Sequence, residues 1–184
     1  METQINNLLA HDHSGLDELL AELFAALDSG DIERIYEKLD FFWARLAMHI
    51  RAEHLHLFPA ILGAFEPKEP TKERRAPSFE IAQSTIAKLH DDHDFFMREL
   101  ISAIKQIRGL RENNRNASSH ILTARETIIA VSRRLETHNE LEESEVYQWA
   151  DILLNPSERA ALNERMQKEI DNLPPRFGKL GEDL

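Results

Sequence analysis

Residues 49–59 read HIRAEHLHLFP, and this stretch decides how the chain can fold. Apolar residues in and around it recur at intervals of three and four, which is the spacing of an amphipathic helix. His49 and Glu53 nevertheless stand on the apolar seam that runs from Ile35 to Leu57. Ionisable side chains are costly to bury unless a partner satisfies them. The helix is therefore predicted to carry a buried polar site, and the question is what its side chains meet there.

Two pairs of residues occur twice, once in each half of the chain. One is a His-x-x-x-Glu pair and the other is an Asp-His dipeptide. If the halves form a pseudo-twofold helical bundle, both copies of each pair are expected to meet at one place. The copies are His49 with Glu53 and His138 with Glu142, and Asp12-His13 and Asp92-His93.

The rest of the sequence has the same helical spacing, and Gly is scarce, with 6 residues among 184. This pattern predicts an all-α fold. Four long helices with moderate connections favour an up-down-up-down four-helix bundle over residues 1–153. A short fifth helix and a loose tail are expected over residues 154–184. Asn155, Pro156 and Glu158 form a start signal for that fifth helix.

The expected helices begin and end at residues typical of such positions. The first covers about residues 4–28 and stops before a Ser-Gly pair, and the second starts near Asp31. Pro59 is expected to kink or end the second helix, because proline lacks a backbone N–H. The third helix follows a polar connection of residues 66–78 and runs to about Leu110.

The composition is that of an ordinary soluble domain, with 42% hydrophobic and 30% charged residues. The formal net charge of −11 disfavours a protein that binds nucleic acid or anionic membranes. No apolar run approaches the ~20 residues that a membrane span needs. The first residues, METQINNLLAHD, lack the features of a secretory signal. The sequence thus predicts a cytoplasmic location.

The chain contains no cysteine. Disulfides, thiolate catalysis, cysteine-based zinc fingers and iron–sulfur clusters are therefore excluded. A metal site in this chain must use nitrogen and oxygen donors. Histidine is abundant by contrast, with 9 residues, most of them in short clusters.

The repeated pairs have the geometry of a shared site. Positions i and i+4 lie about 40° apart on a helix, so each His-x-x-x-Glu pair offers an imidazole and a carboxylate on one face. The histidine of each Asp-His dipeptide also interrupts an apolar seam. In an up-down bundle all these positions fall at one depth. The candidate metal ligands are His13, His49, Glu53, His93, His138 and Glu142.

This donor set indicates a transition metal. Four imidazoles and two carboxylates suit iron, manganese or zinc rather than calcium or magnesium. An isolated His-x-x-x-Glu pair is more often a surface ion pair, and an isolated core histidine is usually structural. The repetition on seam positions favours a metal site over those readings. Two histidines per metal and two bridging carboxylates would leave room for a bridging oxygen species and an exchangeable ligand.

The quoted residues resemble the hemerythrin-like, or HHE cation-binding, domain over about residues 5–153. The Glu-x-x-x-Leu-Phe-Pro order within EHLHLFP is also typical of that family. The resemblance implies a four-helix bundle that holds two non-heme iron ions with a bridging oxo, hydroxo or water ligand. It implies that His13, His49, His93 and His138 are terminal ligands and that Glu53 and Glu142 bridge the two ions.

One departure from the family pattern bears on function. Oxygen-carrying hemerythrins use a fifth histidine, in a His-x-x-x-His pair on the third helix. The corresponding stretch here, LHDDHDFF, offers His90-x-x-His93, which is one residue shorter. This difference argues against reversible oxygen carriage.

Further polar residues lie near the predicted ligands. In a regular helix His56 projects close to His49, and Glu145 has the same relation to the second ligand pair. Together with His90 they are expected to form a second polar layer that orients ligands or lines an entry path. The alternative is a wet, solvent-exposed layer. His54 and Glu143 are expected to face solvent or a flanking helix, and His54 is expected to need no special role.

Three functions fit this reading. The first is a non-heme di-iron protein that binds or responds to dioxygen, nitric oxide or peroxide, or that handles iron. The second is a stress-response oxidoreductase that acts on peroxide or nitric oxide at the same centre. The third is a structural or interaction bundle that metal stabilises. The sequence has no nucleophile triad or phosphate loop, and no separate output domain for a sensor is expected. A carrier or metal handler needs no such domain, which favours binding slightly and leaves enzymatic activity open.

The first two functions share one kind of partner, a small diatomic or peroxide ligand. A sensor would also need an unlinked protein partner, or a second copy of the chain in a homodimer, to pass on its signal. Neither nucleic acid nor a membrane is expected to bind.

Overall fold

The computed structural model describes residues 4–65, 76–112 and 116–177, and these residues are almost entirely helical. Two π-helical turns, Glu53–Leu57 and Glu142–Val146, join α2 to α3 and α5 to α6. The helices are α1 (Gln4–Ser29), α2 (Ile32–Ala52), α3 (Phe58–Gly63), α4 (Phe79–Glu112), α5 (Ala117–Leu141), α6 (Tyr147–Leu153) and α7 (Pro156–Ile170). Most of the predicted connection at residues 66–78, and the tail beyond Phe177, lie outside the described residues.

Local signals set the helix ends as expected. Gly30 follows α1 with a φ of 70°, a left-handed conformation that glycine adopts without steric cost. The carboxylate of Asp31 then accepts hydrogen bonds from the backbone N–H groups of Glu33 and Arg34, and so caps α2. At α7, Asn155 and Glu158 form the predicted capping box.

Four helical rods form the bundle. Helix α1 packs against α2 and α5, and α4 packs against the same two helices. Helix α7 lies across α1 and α2, and its buried face is the predicted one, Leu162, Met166 and Ile170. The all-α, hemerythrin-like four-helix bundle with a short fifth helix is therefore confirmed.

The core consists of two apolar clusters with a polar layer between them. The larger cluster includes Leu23, Phe42 and Phe96, and the smaller one includes Leu57 and Trp149. The residues between them are buried and polar, which is unusual for a bundle core. They are Asp12, His13, His49, Glu53, Asp92, His93, His138 and Glu142.

The prediction for Pro59 is wrong in part. The helical rod does not end there but continues as α3 to Gly63. The π turn directly before Pro59 explains this, because it changes the hydrogen-bond pattern from i+4 to i+5. The backbone N–H of Phe58 donates to the carbonyl oxygen of Glu53, and proline in the first turn of the next segment has no N–H to satisfy.

In the parts of the chain that the structure describes, no helix combines the length and the apolar character needed to span a membrane.

Candidate metal centre

The polar layer brings all six predicted ligands together. One donor atom each from His13, His49 and Glu142 lies within 4.8 Å of the others, and Glu53, His93, His138 and Glu142 form a second such group. Glu142 belongs to both groups. Helix α1 supplies His13, α2 supplies His49, α4 supplies His93 and α5 supplies His138, while each π turn begins with a glutamate.

The first group lies between α1 and α2. The Nε2 atoms of His13 and His49 are 3.1 Å apart. His13 Nε2 lies 3.4 Å from Glu142 Oε2, and His49 Nε2 lies 3.6 Å from Glu53 Oε1. We call this group position A.

The second group lies between α4 and α5. The Nε2 atoms of His93 and His138 are 2.9 Å apart. His93 Nε2 lies 3.4 Å from Glu53 Oε2, and His138 Nε2 lies 3.0 Å from Glu142 Oε1. We call this group position B. Each glutamate therefore turns one carboxylate oxygen toward position A and the other toward position B.

The other ring nitrogen, Nδ1, of each of these four histidines points away from the centre and has a hydrogen-bond partner. His49 Nδ1 donates to Asp12 Oδ2 over 2.8 Å, and His138 Nδ1 donates to Asp92 Oδ2 over 3.2 Å. Such hydrogen bonds fix the ring and leave Nε2 as the metal-binding atom. His13 Nδ1 is held by Glu143 at 2.7 Å and His93 Nδ1 by His54 at 2.8 Å.

Two arginines support the aspartates. Arg45 on α2 donates to Asp12, and Arg134 on α5 donates to Asp92. Each Arg–Asp–His chain runs from the surface of the bundle to the centre. The aspartates are thus fixed at both ends, which orients the imidazoles that they hold.

The hydroxyl group of Tyr147 packs against the side chains of position A. Its hydroxyl group lies 2.9 Å from Glu53 Oε1, 3.0 Å from Glu142 Oε2 and 3.2 Å from His13 Nε2. The second π turn explains this position, because the N–H of Tyr147 bonds to the carbonyl oxygen of Glu142 and so stacks the two residues. Phe58 occupies the matching place after the first π turn.

Burial and neighbouring charges set the protonation of these groups. Burial raises the pKa of the Tyr147 hydroxyl, and the carboxylates of Glu142 and Glu53 raise it further, so Tyr147 keeps its proton. Burial would also raise the pKa of Glu142, but His138 and His13 hold it well below its usual range. Burial lowers the pKa of His93 well below its ordinary value, so this imidazole is neutral and its Nε2 lone pair is free to bind a metal.

The layer is suited to a cation. At position A the Nε2 atoms of His13 and His49 lie 3.1 Å apart, and the Nδ1 atom of each ring is already paired with a carboxylate. Tyr147 has a single hydroxyl hydrogen for three neighbouring acceptors. Among the described residues, Glu53 Oε2 and Glu142 Oε1 have no hydrogen-bond partner. A positive ion among these nitrogen and oxygen atoms would satisfy them.

The region is rich in charge. Five carboxylates and two guanidinium groups lie around the centre, and four of the carboxylates are buried. Burial lowers the pKa of His13, His49 and His138, but the neighbouring carboxylates raise it above the ordinary value, so without an ion these imidazoles hold protons that a bound metal would displace. The carboxylates are Asp12, Glu53, Asp92, Glu142 and Glu143, and the guanidinium groups are Arg45 and Arg134.

A surface groove borders the outer side of position A. It lies between α1 and α5, is lined by Asp17, Glu136 and Glu140 and extends to His13 and Glu143. Its acidic lining attracts cations.

His54 and Glu143 each face a flanking helix, as predicted, but the expectation that His54 needs no special role is wrong. On α4 it meets the Nδ1 atom of His93. Glu143 meets the outward nitrogen of His13 on α1 in the same way. Burial and the neighbouring His90 lower the pKa of His54 to about 4, whereas the hydrogen bond from His13 lowers the pKa of Glu143.

The predicted second polar layer is also wrong in two of its three members. His56 Nε2 lies 3.9 Å from Glu169 Oε2 on α7, and Glu145 is exposed. Both residues lie inside π turns, which are wider than α turns and rotate them away from the positions a regular helix gives. His90 packs against His54, with ring centroids 4.1 Å apart, and against Phe58, with ring centroids 5.4 Å apart, and both of these residues contact His93.

Sequence reasoning missed several residues that hold the centre in place. Asp12 and Asp92 were visible as members of a repeated dipeptide but received no role. Arg45 and Arg134 precede the ligand histidines by four residues in both halves, a repeat that signals a shared role. Tyr147 had no such signal, since its counterpart is Phe58.

This helical bundle buries two His-x-x-x-Glu pairs and two further histidines, which is the donor set of a metal-binding protein. A family model, described as the hemerythrin HHE cation binding domain, matches residues 4–150. The chain therefore belongs to the hemerythrin HHE cation-binding family, as its motifs indicated. No curated protein and no solved structure shows significant similarity to the chain.

Proposed function

We propose that this chain is a non-heme di-iron protein that binds or responds to dioxygen, nitric oxide or peroxide, or that handles iron. One observation carries the proposal. Four imidazole Nε2 atoms and two carboxylates converge in a buried layer, and each imidazole is anchored through its outward nitrogen. Nitrogen and carboxylate donors of this kind suit iron, and they also accept manganese or zinc.

In this proposal each part of the layer has a task. His13 and His49 hold one ion, His93 and His138 hold the other, and the two glutamates bridge them. A pair of iron ions supplies a change of oxidation state and an exchangeable position for a small ligand. The apolar clusters on both sides keep bulk water away from the ions.

Metal analysis with optical spectra tests the proposal directly. Protein from iron-replete cells is expected to contain about two iron ions per chain, as two ligand groups require. Aeration of the reduced protein is expected to produce the absorption of an oxo-bridged ferric pair. Zinc alone, or no metal, would contradict the di-iron assignment.

A second function, turnover of peroxide or nitric oxide, is favoured by Tyr147. Its hydroxyl group touches both bridging carboxylates and lies beside His13 at position A. Since its pKa is raised, the phenol is protonated and can donate that proton to a ligand bound there. A centre that only stored iron would have no use for such a donor.

Tyr147→Phe tests this second function. The variant is expected to keep its iron, because Phe58 serves at the matching position of the other half. We expect its reduced form to react with peroxide about 10²-fold more slowly, the lower end of what a positioned proton donor contributes. Rapid-mixing absorption measurements would give the rate. Tyr36→Phe, which lies outside the centre, is the control, and an unchanged rate in Tyr147→Phe would remove the proposed proton donor.

A further inference from the structure

The two halves of the centre are matched in nearly every residue but differ at the anchor of one histidine. Both halves use an aspartate and an arginine behind the histidine of the His-x-x-x-Glu pair. The other histidine of each half has a different partner. His13 Nδ1 is held by the carboxylate of Glu143 at 2.7 Å, whereas His93 Nδ1 is held by the imidazole of His54 at 2.8 Å.

This difference changes the strength of the two ligands. A carboxylate that accepts a hydrogen bond from Nδ1 increases electron density on the ring, so Nε2 becomes a stronger donor to a metal. A metal on His93 Nε2 requires Nδ1 to carry the proton, so His54 must accept through an uncharged nitrogen. An uncharged acceptor polarises the ring less than a carboxylate does. Position A thus has the stronger histidine ligands.

The surroundings of the two glutamates also differ between the positions. Glu53 Oε1 and Glu142 Oε2, which face position A, both lie within 3.0 Å of the Tyr147 hydroxyl group. At position B the matching residue is Phe58, whose ring stacks on His93 with centroids 6.1 Å apart. Position A therefore has an additional oxygen atom beside the metal ligands, and position B has an apolar wall.

We infer that the two metal positions are unequal, that position A fills first and holds its ion more tightly, and that Glu143 and His54 set this order. The inference rests on the proposed function, since it requires a centre for two ions. Glu143 and His54 act as positioning residues through the histidines they hold.

Titration of the metal-free protein with cobalt(II) tests this inference. Calorimetry and the visible spectrum of cobalt would follow binding step by step. The unmodified chain is expected to bind about two equivalents in two resolved steps that differ by roughly tenfold or more, the range that such hydrogen-bond partners control.

Substitution of each hydrogen-bond partner by the residue type of the other distinguishes a positioning role from a general loss of structure. Glu143→His is expected to weaken the first step by roughly tenfold and leave the second unchanged. His54→Glu is expected to tighten the second step, a gain that a merely structural defect would not produce. Glu140→His is the control, since Glu140 lines the same groove without contacting a ligand histidine. Circular dichroism would verify that each variant is folded.

The outcomes are distinct. Two equal steps in the unmodified chain, or equal effects of both substitutions on both steps, would overturn the inference and leave the metal centre intact. Failure of the folded, unmodified chain to bind cobalt would instead overturn the metal centre itself, and with it the proposed function.

Discussion

Glu142→Ala is expected to abolish binding of both metal ions. Glu142 contributes to both donor groups, and its two oxygen atoms lie 3.4 Å from His13 Nε2 and 3.0 Å from His138 Nε2. Removal of a hydrogen-bond partner behind a ligand already costs roughly 10–100-fold in affinity, so removal of a shared ligand is expected to cost more. Metal analysis should fall from about two ions per chain to well below one.

The matched control is Glu140→Ala, a loss of the same charge two residues earlier, on the exposed side of α5. This variant should keep its metal. Both proteins should show the helical circular dichroism of the unmodified chain. Full metal occupancy in folded Glu142→Ala would contradict the assignment of Glu142 as the shared ligand.

Removal of the metal is expected to lower the melting temperature strongly. Without cations, four carboxylates and four imidazoles crowd one buried layer of the core, and the two arginines behind it contact only the aspartates of that layer. An ion that binds only the folded state stabilises it by about 4 kcal/mol at a thousandfold excess over its Kd. For a domain of this size that corresponds to roughly 10 °C for one ion.

Thermal unfolding with and without a chelator would measure this effect, and re-addition of iron or zinc should restore the melting temperature. Glu142→Ala provides the comparison, because the chelator should no longer shift its unfolding. If the chelator left the unmodified chain equally stable, the layer would not be a metal site. If zinc restored stability but iron showed no redox change, the structural role of the metal would replace the di-iron function.

The sequence was sufficient to predict the fold and six of the eight members of the polar layer, all but the two aspartates. Helical spacing around residues 49–59 and around His138 predicted amphipathic helices, and each half of the chain places a His-x-x-x-Glu pair on a buried face. A buried histidine or glutamate needs a polar partner, and the matching pair in the other half was the predicted partner. Both arguments depend on local periodicity, which a single sequence displays fully.

The two π turns could not be predicted in this way. Each turn begins at a glutamate of the polar layer and shifts the register of the residues that follow by one hydrogen bond. This shift moves His56 toward Glu169 and stacks Tyr147 on Glu142. An angle of 100° per residue, applied past Glu53 or Glu142, is therefore incorrect.

HIRAEHLHLFP by itself determined that His49 and Glu53 face the core of a helical bundle, because the period of the helix fixes which residues share a face. What those side chains meet was decided by the tertiary structure. His54 lies off that face, yet it holds His93 because α4 passes beside it. A hydrogen bond between side chains on different helices depends on how the helices pack, and helical periodicity carries no information about that packing.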